Sequence, residues 1–305
     1  MKYCSKCTYP ETKPDLTLDE NGVCDACRNS GTKKEIDWEG RRKELVDLME
    51  RYKSKDGSNY DCVIAVSGGK DSFYQTYIIK KVLGYNPLCV TWSACEYTEL
   101  GLKNIKAMQD LGVDHIQFTP NPVVYKKLFK EGFVRLGDGC WPCHVGIFTY
   151  PIQIAVKFKI PLIIYGENAQ LEQGGPPDAA KKAVIDRRWL EEFGGLLGCR
   201  VKDMVGNGIT MNDLQPYIYP SDEDLKAVGT TGLYLGYFFN WDARKQVDII
   251  KQYGFGVNEE GVQEGTYVNY ENLDGKFVGV HDYLKFLKYG FGRASDHASL
   301  DIRNK

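Results

Sequence analysis

The stretch Asp61-Cys62-Val63-Ile64-Ala65-Val66-Ser67-Gly68-Gly69-Lys70-Asp71-Ser72 decides the fold. A strand-length apolar run ends in a hydroxyl and two glycines, and an amphipathic segment over 73–83 follows at once. A buried strand that opens through glycines into a helix leaves several backbone N–H groups facing one concavity. An anion there lies on the positive end of the helix dipole. Ser67 and Ser72 add hydroxyl donors, and Lys70 adds a point charge. The spacing is not that of a Walker loop, because no G-x-x-x-x-G-K-[ST] occurs and the turn is too short to wrap a β-phosphate in that way.

Outward from this stretch the strand–helix alternation continues. Strands are expected over 87–92, 115–119 and 161–165, and helices over 99–111, 123–133 and 146–158. The pattern predicts an α/β protein with a doubly wound parallel sheet, its nucleotide at the carboxyl ends of the strands. Four regions are expected: a zinc ribbon over 1–35, a linker helix over 36–59, a nucleotide-binding domain over 60–180, and a mostly helical substrate or partner region over 181–305. A loop over 170–178, rich in turn formers through Gly174-Gly175-Pro176-Pro177, has the length of a lid.

Cys4-x-x-Cys7 and Cys24-x-x-Cys27 match the two knuckles of a structural zinc site, closed to substrate. So short a segment holds no core of its own, so the metal would contribute its folding energy directly.

At 305 residues, 43% hydrophobic and 26% charged, the chain can bury one sizeable core with small appendages. Its longest apolar runs are strand-length and its start has no signal-peptide core, which predicts a cytoplasmic protein without a membrane span. Ten cysteines in such a chain argue for metal binding or catalysis rather than disulfides. A net charge of −2 argues against a nucleic-acid partner, although Lys126-Lys127-Lys130 and Lys181-Lys182-Arg187-Arg188 form local basic clusters.

Three further constellations carry polar chemistry. In Cys140-Trp141-Pro142-Cys143-His144, Pro142 fixes the backbone between two thiols, and the following helix N-terminus is expected to lower their pKa. A pair of iron–sulfur ligands completed by a third cysteine such as Cys199, a second metal or redox site, and a packed structural turn all remain open. Gly166-Glu167-Asn168 and Glu172 put two carboxylates and an amide at the end of the fourth strand, where the alternative is a helix cap by Asn168. His281-Asp282 and the run Arg293 to Ser299, with Asp296 and His297, supply convergent donors and acceptors for a sugar or an anion. Arg293 is able to take a carboxylate in a bidentate way.

The order Ser67-Gly68-Gly69-x-Asp71-Ser72 resembles the PP-loop of the ATP pyrophosphatases, which cleave ATP between the α and β phosphates. Together with the four-cysteine ribbon, the Cys140 to Thr149 run, Gly166-Glu167-Asn168 and the tail Tyr289 to Ser299, the chain is similar over nearly its whole length to the N-acetyl sugar amidotransferase family. The resemblance implies that Ser67, Gly68, Gly69, Lys70, Asp71 and Ser72 hold the ATP phosphates, with Gly166 beside them and Thr91 and Trp92 near adenine. It implies catalytic roles for Lys70, Asp71 and Glu167, with Asp71 and Glu167 on magnesium, whose preference is for hard oxygen ligands. Glu172, His281, Arg293, Asp296 and His297 become the candidate sugar contacts.

The implied reaction turns an N-acetyl group of a bacterial sugar into an acetamidino group. Its pathways are those of surface polysaccharide, lipopolysaccharide or flagellin glycans, built from nucleotide-linked sugars such as pseudaminic or mannuronic acid derivatives. No stretch resembles a glutaminase, so ammonia is expected from a separate glutaminase, with a cyclase-like channel subunit. Chains of the family continue somewhat past such a tail. The runner-up is tRNA 2-thiolation with an iron–sulfur site at Cys140 and Cys143; the acidic charge and the tail stand against it. A zinc-ribbon adaptor with a degenerate nucleotide fold is the non-enzymatic reading, opposed by the intact loop.

Overall fold

Strands that are apolar on both faces need helices on both faces, and this requirement sets the architecture. The computed structural model describes residues 1–93, 96–174, 183–185, 196, 198–262 and 264–305. Among these, β1 (Cys62–Ala65), β2 (Pro87–Trp92), β3 (Asp114–Phe118), β4 (Leu162–Tyr165), β5 (Val184–Ile185) and β6 (Thr231–Tyr234) form one sheet in the order β3-β2-β1-β4-β6-β5. All neighbours pair in parallel except β5, which runs antiparallel to β6. Both β2 and β4 are buried along their whole length.

The helices are α1 (Asp25–Thr32), α2 (Trp38–Tyr52), α3 (Lys70–Tyr77), α4 (Glu99–Gln109), α5 (Pro122–Leu136), α6 (Trp141–Lys157) and α7 (Ala169–Gln173). After the sheet closes come α8 (Asp222–Val228), α9 (Leu235–Phe238), α10 (Ala243–Lys251), α11 (Val278–Tyr289) and α12 (Arg293–Arg303). Alternate strand residues serve opposite layers. Cys62, Ile64, Cys89 and Ile164 join α2, α3 and α10 in one apolar cluster. Val63, Val90, Ile163 and Tyr165 join α6 in the other. This is the doubly wound sheet expected from the sequence.

Three details differ from the sequence expectation. The sheet runs past residue 180, because β6 pairs with β4 from within the region read as helical. A short strand of Thr-Gly-Leu-Tyr carries little strand signal of its own; its pairing is tertiary. Helix α6 begins at Trp141 rather than near 146, since Pro142 in the first helical turn gives up only an N–H that has no intrahelical partner. The expected lid is helical over its first part, as α7, and residues 175–178 lie outside the described residues, as does the basic cluster Lys181-Lys182-Arg187-Arg188.

The strand order reverses direction between β1 and β4, so the crevice for a ligand opens where Ser67 and Gly166 end these two strands. Trp92, at the end of β2, reaches this crevice by lying against α6 at Gly146. A Cβ on Gly146 would meet the indole at 2.0 Å. Alanine in a helix interior normally gains about 0.5–1 kcal/mol over glycine, but overpacking here outweighs it. Gly146→Ala should destabilise the protein by about 1–3 kcal/mol, read as a lowered urea midpoint; a raised midpoint would contradict the Trp92–α6 contact.

Candidate active site

The loop after β1 turns at a glycine that no other residue could replace. Gly68 has φ +94°, and a Cβ there would lie 2.9 Å from the Gly101 carbonyl oxygen and from Ile105 Cγ1 of α4. Gly69 is the N-cap of α3, without a side-chain cap. The loop's donors are held by its own hydroxyls: Gly68 N–H donates to Ser72 Oγ at 3.3 Å, and Gly69 N–H to Ser67 Oγ at 3.3 Å. Ser72 Oγ in turn donates to the Gly69 carbonyl at 2.9 Å.

Lys70 is buried, and its Nζ lies 2.6 Å from Asp71 Oδ2 and 2.8 Å from Glu271 Oε1. Burial by itself would lower the ammonium pKa, but the carboxylates of Asp71, Glu271 and Glu167 outweigh it and raise it. Glu271 was not singled out in the sequence, nor was Asp274, whose carboxyl hydrogen-bonds the Ser67 hydroxyl. Both come from a segment that lies over α4, where a Cβ on Gly101 would fall 2.6 Å from Asp274 Cα. No local motif marks them, because a long-range contact supplies their role. Asp71 also accepts a hydrogen bond from Trp241 Nε1 at 3.1 Å.

At the end of β4, Gly166 lets the chain pass close to Asp71 Cβ and the Trp241 ring. Glu167 follows, its carboxyl pushed up to about 8 by burial and by Asp71, against the pull of Lys70. Asn168 caps α7, accepting from Leu171 N–H at 3.2 Å.

Two cavities meet here. One, of about 310 Å³, is lined by Ser67, Ser72, Gln75, Trp92, Phe148 and Tyr165, among others. Its walls are mostly apolar. The buried indole N–H of Trp92 and amide oxygen of Gln75 have no hydrogen-bond partners among the described residues. The other, of about 140 Å³, is polar and bounded among the described residues by seven carboxylates and three cationic side chains. Asp71 and Glu167 line both. Thr91 lines neither: strand alternation turns it to the opposite face, where its hydroxyl is hydrogen-bonded with His115 Nε2 at 2.7 Å. Its expected place beside adenine is thereby corrected, whereas Trp92 does reach the cavity.

Arg293, Asp296 and His297 of α12 face the polar cavity, as does Glu172. The Arg293 fork is occupied from within, its Nη2 donating to Asp282 Oδ1 at 2.8 Å and Nε to Oδ2 at 3.2 Å. Asp296 pairs with Lys285, leaving its buried Oδ1 without a partner among the described residues. Burial and Arg293 push His297 down to about 4, so it is neutral at pH 7. His281 is outside this cavity; it turns to Asp138, with Nδ1 3.1 Å from Oδ1.

The thiol expectations also change. Cys140 is not activated by the start of α6: burial and the Asp138 carboxylate push its thiol up to about 12. Cys143 rests on the apolar cluster that contains Cys199, and among the described residues these three thiols do not gather as ligands. Cys140 instead meets Asp138 and His281.

Cys4, Cys7, Cys24 and Cys27 converge with all sulfurs within 4.8 Å of one another. Backbone N–H groups of Lys6 and Cys24 point at Cys4 Sγ, each at 3.3 Å, and that of Cys27 at Cys24 Sγ, at 3.4 Å. Four sulfurs supported in this way suit a tetrahedral zinc ion. The ribbon is joined to the site through Lys33, whose Nζ lies 2.6 Å from Glu172 Oε1, and through Arg303, which reaches both Cys7 Sγ at 3.7 Å and the Glu172 carbonyl at 2.7 Å. Thr8 also bonds Ser299 of α12, at 2.8 Å.

No protein-family profile matches the chain. It is 33% identical over 169 residues to an uncharacterized protein of Methanocaldococcus jannaschii, which covers 53% of this chain and 58% of that relative's length. The NMN synthetase structure from Francisella tularensis overlaps 67% of this chain and 94% of its own, at 14% identity and a TM-score of 0.35, a loose likeness that bears on neither fold nor function. Among the described residues no helix is long and apolar enough to cross a membrane.

A carboxyl raised from 4.5 to about 8 is protonated in the folded protein over a range where the unfolded chain is ionised. Its contribution to stability is therefore full below pH 4.5 and lost as pH rises through about 8. In magnesium-free buffer, Glu167→Gln should gain thermal stability relative to wild type steadily across that window. A pH-independent difference between the two melting temperatures would contradict the burial of this carboxyl.

Proposed function

We propose that this chain is an ATP pyrophosphatase of the PP-loop type that acts as an amidotransferase on the N-acetyl group of a bacterial sugar. The observation that supports the reading best is that Asp71 and Glu167 stand between an apolar cavity beside the glycine loop and a polar one walled by α12. The first fits a purine: its walls are mostly apolar and include the Trp92 and Phe148 rings. The phosphates would exchange with the hydroxyls that now hold the Gly68 and Gly69 amides. The second supplies carboxylate acceptors for hydroxyl and amide N–H groups.

An acetamide carbonyl is a weak electrophile with a poor leaving group. Its oxygen, held in the polar cavity, attacks the α-phosphorus of ATP; the bond to the β-phosphate oxygen breaks and pyrophosphate leaves. Ammonia adds to the resulting O-adenylyl imidate carbon, AMP departs, and the amidine remains. Lys70 and the loop amides neutralise the leaving pyrophosphate. Asp71, Glu167 and Glu271 carry the hard oxygens that suit magnesium, which when bound offsets phosphate charge. Ammonia would come from a separate glutaminase.

Incubation with ATP, ammonium and a nucleotide-linked diacetamido sugar should yield AMP, pyrophosphate and a product lighter by about one mass unit, the exchange of oxygen for NH. Lys70→Met should lower kcat at least tenfold, about 1.4 kcal/mol of barrier, with the fold intact. Formation of ADP, or an unaltered sugar mass across several such substrates, would contradict the reading.

A further inference from the structure

Behind the polar cavity, three metal-binding side chains from different parts of the chain converge. Asp138 ends the turn after α5, Cys140 is the N-cap of α6, and His281 projects from the first turn of α11. One ligand atom from each lies within 4.8 Å of the others. The Asp138–His281 edge is 3.1 Å. Ligand atoms of a tetrahedron with zinc-like bonds stand about 3.3–3.8 Å apart, so little movement would admit an ion.

We propose that Asp138, Cys140 and His281 form a second zinc site, separate from the ribbon and independent of the amidotransferase reading. A thiolate and a carboxylate balance the two charges of the ion, and a neutral imidazole completes a donor set of intermediate softness that suits zinc over magnesium or calcium. Binding displaces the Cys140 thiol proton to solvent and moves the His281 proton off the ligating nitrogen. The site is built rather than incidental. Asp138 is buried and accepts the Cys140 N–H at 2.8 Å, which fixes its carboxylate against the start of α6. His144, one helical turn on, sets its ring edge-on to His281 at 5.1 Å between centroids. The glycine between the two ligands, Gly139, is covered by Phe129, where a Cβ would fall 2.4 Å from the ring.

The ion would tie the start of α6 to α11. The neighbour of His281, Asp282, holds Arg293 in the wall of the polar cavity, so the site is placed to position that wall rather than to touch substrate. Three protein ligands leave a fourth position for water.

The full-length chain, brought to equilibrium dialysis against Zn2+, should bind one more ion than either Cys140→Ser or His281→Gln, while all three keep the ribbon ion and the same circular dichroism. With Co2+ in place of Zn2+, the wild-type spectrum should lose a single-thiolate charge-transfer band in Cys140→Ser. Equal zinc stoichiometry in the wild type and either variant, or superimposable cobalt spectra, would overturn the site.

Discussion

Gly68 occupies a point where the backbone admits no side chain, and much of the active region depends on that contact. Its positive φ turns the chain out of β1, and its missing Cβ lets α4 approach to van der Waals distance. Gly101 repeats the device one layer out, admitting the Asp274 backbone. Three separate segments are thus stacked at glycines, and the stack delivers Glu271 to Lys70 and Asp274 to Ser67. A methyl group at Gly101 would displace Asp274, and one at Gly68 would strain the loop itself.

The charges around Lys70 follow from the same stack. A buried ammonium between two or three carboxylates loses hydration that the ion pairs only partly return, so the cluster is a poor device for stability. It makes better sense as a set of exchangeable partners. The loop amides rest on Ser67 and Ser72, and Lys70 rests on Asp71 and Glu271. In the proposed reading an incoming polyphosphate takes over each donor, and the carboxylates so released would serve as oxygen ligands for its divalent counter-ion. The ribbon contributes at a distance: through Lys33 and Arg303 it fixes α7, whose residues separate the two cavities, and through Thr8 it fixes α12.

Strands β1 to β4, the loop and the four-cysteine knuckles were legible because each is encoded locally, by apolar runs, glycines and spacing. The antiparallel β5 and parallel β6 were not, since short polar-flanked strands are defined by the neighbour they pair with. Glu271 and Asp274 were missed for a related reason: their function comes from a glycine contact with a distant helix. Thr91 was misplaced by reading the strand end without its alternation, and His281 by grouping residues near in sequence that α11 and α12 turn to different neighbours. Cys140 shows the limit of arguing from a helix N-terminus alone, because burial and the Asp138 carboxylate push its thiol up.

In the proposed reading one nucleotide bridges the apolar cavity and the glycine loop, with its α-phosphate at Asp71 and Glu167. A crystal structure with a non-hydrolysable α,β-substituted ATP analogue and Mg2+ tests it most directly. Adenine is expected against Trp92 and Phe148, with phosphates on the amides of Gly68 and Gly69 and Lys70 withdrawn from Glu271. A nucleotide bound elsewhere, or one that leaves the Ser72–Gly68 and Lys70–Glu271 contacts intact, would contradict it.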